Sequence, residues 1–152
     1  MKMRTKILYL ASVIAIWSAP VLSKEIMSVD TTWNAFGEND KVVVERFDDP
    51  RVNNVSCYVS YAKSGGISGA IGLSEDPSRF SIACRAVGPV TLKSDVPVKN
   101  EEVFNRNAST FFKKMHITRN IDNEKNVLVY IATSDRLIDG SPFNSISVVP
   151  IQ

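Results

Sequence analysis

Two cysteines and a single histidine leave this chain short of metal ligands. Structural zinc takes four Cys or His side chains and catalytic zinc three protein ligands, so no metal or cofactor is expected. Charge of one sign is lacking too: 18 Lys and Arg stand against 16 Asp and Glu, a formal +2. With no basic stripe interleaved with aromatics, nucleic acid is not an expected partner. No apolar run approaches the roughly 20 residues of a membrane-spanning helix, which weighs against stable membrane insertion. Motifs of covalent and nucleotide chemistry are missing as well. No serine stands in G-x-S-x-G, and no glycine run ends in Gly-Lys-Ser/Thr or follows G-x-G-x-x-G. What remains is 152 residues, 44% hydrophobic and 22% charged, the composition of one globular domain.

The amino terminus reads as an address. Lys2, Arg4 and Lys6 precede an apolar stretch from Ile7 to Trp17 interrupted only by Tyr9 and Ser12. A positive segment followed by about eleven apolar residues is the layout of a secretory leader. Pro20 disfavours cleavage after Ala19, whereas Val21-Leu22-Ser23 places small residues at both recognition positions, so the cut is expected after Ser23. Residues 1–23 are then the leader and residues 24–152 a single domain. Export removes three basic residues and no acidic one, leaving 15 against 16 and a net charge of −1.

An oxidising compartment favours pairing Cys57 with Cys84. Their surroundings agree. Val55, Cys57, Val59 and Tyr61 alternate with Ser56, Tyr58 and Ser60, and Phe80, Ile82, Cys84 and Ala86 alternate with Ser81, Ala83 and Arg85. Alternation of period two marks two half-buried strands with both sulfurs on the apolar side. Closing a loop of about 28 residues stabilises a fold by roughly 3–4 kcal/mol in the chain-entropy account. A redox-active pair is disfavoured, because no Cys-x-x-Cys spacing or cationic cluster is present to lower a thiol pKa.

Further strands are expected over Lys41 to Phe47, Glu102 to Arg106, Met115 to Ile121, Val127 to Ala132 and Ser145 to Val149. Asp48-Asp49-Pro50, Ser74-Glu75-Asp76-Pro77 and Gly140-Ser141-Pro142 are turn signals, and Gly88-Pro89 is expected to break the second cysteine strand. Met115 to Ile121 and the continuously apolar Val127 to Ala132 form a hairpin around polar Asp122 to Asn126, with the second strand central in a sheet. Ser109 to Met115 suits one turn of helix equally well. The fold class expected is mainly β: a single-domain antiparallel sandwich or barrel of about eight short strands, with at most one or two short helices and one disulfide.

Candidate chemistry is sparse. The run Gly65-Gly66-Ile67-Ser68-Gly69-Ala70-Ile71-Gly72 permits close backbone approach and reads as a loop, or as a ligand or partner contact. Asp48, Asp49, Asn53 and Asn54 gather four oxygen-bearing side chains without the spacing of a calcium loop, as a solvated turn does. Two of Asp48, Asp49, Glu75, Asp76 and Asp139 would serve a glycosidase only if folding brings them to roughly 5–9.5 Å in one cleft. His116 falls on the polar face of its strand and reads as a surface histidine. Asn54-Val55-Ser56 and Asn107-Ala108-Ser109 match the glycosylation acceptor pattern, which matters only on a eukaryotic route.

In order, KVVVERFDDP (Lys41 to Pro50), NVSCYVSYAKSGGISGAIGLSEDPS (Asn54 to Ser78), IACRAVGPV (Ile82 to Val90) and SDRLIDGSPFNSISVVP (Ser134 to Pro150) resemble the CreA family of bacterial exported proteins. The resemblance spans nearly all of the chain after the leader and is looser from Lys93 to Asn126. It implies a soluble periplasmic protein of a Gram-negative bacterium that keeps both cysteines, and it carries over no catalytic residue. The leading functional expectation is a non-enzymatic binding or accessory protein of the envelope. It would present Asp48, Asp49, Gly65, Gly66, Gly69 and Gly72 as a surface for an unknown envelope protein or small ligand. The alternatives are a carboxylate-dependent hydrolase of cell-wall saccharides and a purely structural envelope or stress protein.

Overall fold

A computed structural model describes residues 23–66, 75–104 and 115–151. Within them the chain forms β1 (Lys24–Thr32), β2 (Asp40–Asp48), β3 (Val52–Lys63), β4 (Glu75–Leu92), β5 (Glu101–Glu102), β6 (Met115–Asp122), β7 (Val127–Ile138) and β8 (Ser141–Pro150). They make two antiparallel sheets, ordered β1-β2-β3-β4 and β5-β6-β7-β8. No helix among the described residues is long and apolar enough to cross a membrane.

Period-two alternation builds one core between the sheets. Val43 and Phe47 from β2, Val55, Cys57, Val59 and Tyr61 from β3, and Phe80, Ile82 and Cys84 from β4 turn inward. They share a cluster with Met115 and Ile117 of β6, Leu128, Tyr130 and Ala132 of β7, and Val149 of β8. Edge-to-face aromatic pairs, Phe47 with Phe104 at 4.5 Å and Phe80 with Phe143 at 5.1 Å, join the layers. Of the antiparallel sandwich or barrel expected, two packed four-stranded sheets make the sandwich, with β7 central between β6 and β8. Cys57 and Cys84 stand directly opposite in the β3–β4 register and are disulfide-bonded.

Both sheets end where β4 meets β8. The edge strand β4 leaves backbone groups without a strand partner, and two serines on the inward face of β8 take that place. Ile82 N–H donates to Ser145 Oγ (3.2 Å) and Cys84 N–H to Ser147 Oγ (2.7 Å), while Ser147 Oγ donates to the Cys84 carbonyl (3.3 Å). Buried backbone groups need such partners, so hydroxyls recur where a core position would ordinarily be aliphatic.

Four local expectations need correction. Gly88-Pro89 does not break a strand, and the Glu75-Asp76-Pro77 signal is not a turn: β4 runs through both. The register slips there instead, Val55 pairing Ala86 while Asn53 pairs Thr91, and Tyr61 pairing Phe80 while Lys63 pairs Glu75. Each proline therefore sits in a bulged stretch of an edge strand, where a missing N–H costs no ladder bond. At the first bulge Asn54, with φ 61°, donates from Nδ2 to the Pro89 carbonyl at 2.7 Å. A Cβ on Gly88 would lie 3.2 Å from the Asn54 side chain, which would have to shift by a few tenths of an ångström to admit it.

The turn expected at Gly140-Ser141-Pro142 is Asp139-Gly140, both at positive φ (51° and 84°), with Ser141 and Pro142 already in β8. Such a two-residue turn matches the twist of a hairpin. The strand expected over Glu102 to Arg106 is only Glu101–Glu102 within the described residues; Val103 still donates its N–H to the Ile117 carbonyl of β6 (2.9 Å), and Val103 and Phe104 are both buried in the core. β1 was not anticipated from KEIMSVDTT: all nine residues are exposed, so no burial imprints alternation on its sequence. The helical alternative for Ser109 to Met115 lies outside the described residues apart from Met115, which starts β6.

Candidate functional site

The most charged interior of the molecule lies where β2 turns into β3. Asp49 follows β2, and its Oδ1 accepts the N–H groups of Arg51 (2.8 Å) and Val52 (3.0 Å), closing the turn. The same carboxylate faces the other sheet. Arg119 on β6 donates from Nη1 to Oδ1 (2.6 Å) and Oδ2 (2.5 Å), and Tyr130 on β7 donates its hydroxyl to Oδ2 (2.7 Å). From Nη2, Arg119 bonds Glu101 of β5, whose other oxygen lies 3.4 Å from Arg51 Nε. Arg51 in turn donates to the Asp95 carbonyl at 2.7 Å. The Arg119 side chain and the Asp49 carboxylate are fully buried.

This arrangement is a lock between sheets rather than a reacting centre. Both Asp49 oxygens are occupied by four donors, so neither is open as a nucleophile or base. Tyr130 reports the same environment: burial, then the negative Asp49, pushes its phenol far above its ordinary value. The unfolded phenol ionises near pH 10 and the native one does not. Native chains thus hold the extra proton above that pH, and stability should fall by up to about 1.4 kcal/mol per pH unit. Tyr130→Phe should flatten this alkaline limb in urea titrations from pH 9 to 11, while losing about 1.5–3 kcal/mol near neutrality with the bond to a charged acceptor. An unchanged slope would refute the assignment.

Folding separates the residues marked by sequence. Asp48 ends β2 exposed, accepting from Ser56 Oγ at 2.5 Å, and Asp49 is interior rather than solvated. Gly65 and Gly66 dock at the other end of β2: Gly65 N–H donates to Asp40 Oδ1 (2.8 Å) and Gly66 N–H to the Glu38 carbonyl (2.7 Å). The approach is close enough that a Cβ on Gly65 would lie 1.9 Å from Glu38 O. The Gly65 N–H, with the Asn34 amide, holds the Asp40 carboxyl below its usual value. A nine-residue strand separates the two groups by roughly 26 Å, so Asp48 and Asp49 share no surface with Gly65 and Gly66. Gly69 and Gly72 lie outside the described residues.

The carboxylates proposed for hydrolysis are dispersed in the same way. Glu75 pairs with Lys63 near the glycine end, Asp76 follows it in β4, and Asp139 occupies the β7–β8 turn. His116 lies on the outer face of its sheet between Glu102 (Nδ1, 2.8 Å) and Asp135 (Nε2, 2.5 Å). Both contacts are hydrogen bonds at once only when each ring nitrogen carries a proton. Among the described residues no three His, Cys, Asp or Glu side chains converge to hold a metal.

Sequence reading missed Arg119, Tyr130 and Glu101 as one cluster. One signal was available: Arg119 shares the parity of Met115, Ile117 and Ile121, and an arginine on the inward face of a strand demands a carboxylate. A second inward charge, Glu45, accepts from the Tyr61 hydroxyl at 2.6 Å, and its Oε2 is buried without a partner among the described residues. On the surface an open cleft of about 550 Å³ is lined by Val42, Ala62, Phe80, Phe143 and Arg79.

A disulfide-braced antiparallel β-sandwich, its sheets locked by an interior arginine and carrying a broad apolar cleft, is the class of protein that these features define. The sequence model described as CreA protein matches residues 26–152, and the chain belongs to the CreA family. Protein CreA of Escherichia coli strain K12 is 46% identical over 132 residues, covering 85% of this chain and 84% of its own. The Protein CreA chains of E. coli O6:H1 and O157:H7 match to the same extent. No solved structure matches the chain.

Proposed function

We propose that this protein is exported to the periplasm of a Gram-negative cell and works there as a non-enzymatic binding or accessory protein of the envelope. The Cys57–Cys84 disulfide, closed between neighbouring core positions, is the observation that carries the location. Structural disulfides persist in oxidising compartments, and the leader-like amino terminus supplies a route to one. The cleft beside Val42, Ala62, Phe80 and Phe143 supports the binding role, since apolar concave surface with a charged residue at hand suits an amphipathic anion. Neither Asp49, saturated by donors, nor His116, held between two carboxylates, is free to act on a substrate.

Expression of the full chain in a Gram-negative host, followed by osmotic shock and thiol trapping, tests the location. A product beginning at Lys24, released by shock and lacking free thiols, is expected. An unprocessed cytosolic chain would overturn export. Anilinonaphthalene sulfonate, an apolar anion, tests the cleft: saturable fluorescence is expected with the native protein and not with Ala62→Asp. Equal binding by both would overturn the binding role.

A further inference from the structure

We infer that β1 is a self-association edge, at which a second copy of this chain pairs antiparallel about a two-fold axis through Ser28. β1 is the terminal strand of its sheet, and all nine of its residues are exposed. Among the described residues its outward backbone edge therefore has no strand partner, the condition under which another chain can add to a sheet.

The register selects the partner. Met27 pairs with Val44 and Val29 with Val42, which puts all four on the face away from the core. Turning a second copy about Ser28 places its Val29 against Met27 and its Met27 against Val29. Two four-residue apolar rows result, each crossing both copies: Val44, Met27, then Val29 and Val42 of the second copy, and the symmetric equivalent. Cross-strand apolar neighbours are the unit of sheet stabilisation, and a self-complementary patch is what two-fold assembly requires.

Charge favours the antiparallel sense. A parallel in-register pairing would stack Lys24, Glu25 and Asp30 each on its own copy, whereas the antiparallel one sets Lys24 opposite Thr32 and Asp30 opposite Ile26, so no like charges face each other. Register irregularities at Ile26 and Thr31 bound the regular stretch, and the two-fold falls inside it.

Exposed apolar side chains continue past β1. Beyond the strand, Trp33 and Phe36 are 77% and 79% exposed. Their loop is nevertheless firmly built: Asn34 donates to the Glu38 carbonyl and to Asp40, and its N–H to Asn39 Oδ1. With Ile26, Met27 and Val29, five large apolar side chains stand exposed along β1 and the loop after it.

Single cysteines in the full chain read the register, because both native cysteines are already paired. Under mild oxidation Ser28→Cys should give a covalent dimer several-fold more abundantly than Thr32→Cys, whose two copies the two-fold holds far apart. Sedimentation of the native protein should show a concentration-dependent dimer, shifted to monomer by Val29→Lys. Circular dichroism checks folding, which an exposed strand leaves intact. A monomer at every concentration, equal crosslinking by the two cysteine variants, or a dimer indifferent to Val29→Lys would each overturn the inference.

Discussion

Arg119→Met should lower the free energy of unfolding by about 3–5 kcal/mol, the cost of stranding buried charges. Methionine fills much of the same volume, so packing changes little. The Asp49 carboxylate keeps its turn N–H donors and Tyr130 but loses the cation whose Nη1 contacts both its oxygens, and Glu101 loses its partner from Arg119. Such a loss consumes a large share of a domain's typical 5–15 kcal/mol. Two companions separate the causes. Asp49→Asn keeps an oxygen for the Arg51 and Val52 N–H groups but removes the charge, whereas Asp49→Ala removes both. The alanine variant should be the weaker by about 1 kcal/mol, the usual worth of a side-chain cap of backbone donors. Lys125→Ala breaks a pair whose members are 70% and 82% exposed and should change stability by less than about 1 kcal/mol. Urea unfolding measures all four. An Arg119→Met protein within 1 kcal/mol of the native one would show that the pair does not lock the sheets.

Removal of the disulfide should cost nearly as much. The cysteines are 27 positions apart, and the chain-entropy account gives about 3.5 kcal/mol for a loop of that length. The double variant Cys57→Ala with Cys84→Ala is the cleaner test, because it leaves no buried thiol pair to reoxidise. The bond joins β3 to β4 inside one sheet, whereas Arg119 joins one sheet to the other. The two variants should therefore differ in kind. Without the disulfide, hydrogen exchange should rise first in β3 and β4; without Arg119, it should rise at the turn after β2 and along β6. Matching exchange patterns would refute that division of labour, and a loss under 1 kcal/mol would refute the entropic role.

Much of the fold was legible because burial writes itself on a strand with period two. Val55 to Tyr61, Phe80 to Ala86 and Met115 to Ile121 were read correctly as to which side chains turn inward, cysteines included. Where burial is absent the signal is absent, and β1 was missed for that reason. Where a proline sits on an edge, local rules mislead. Pro77 and Pro89 looked like stops, but an edge strand with bulges has no bond for them to break. Asp49 was misread as solvated because four polar residues around a proline resemble any surface turn. Its partners are 70 and 81 positions away.

By itself, the sequence determined which side of β3, of the middle of β4 and of β6 faces the core, the pair of cysteines available for a disulfide and the family to which the chain belongs. Those are properties of local alternation, of a count of two, and of ordered segments. Only the tertiary structure decided that Arg119 meets Asp49, that Gly65 and Gly66 stand at the opposite end of β2 from the acidic turn, and that the outer edge of β1 has no strand neighbour among the described residues. Alternation fixes the direction in which a side chain points, but what it meets there depends on how two sheets are laid over one another. That arrangement is set by contacts between residues far apart in the chain.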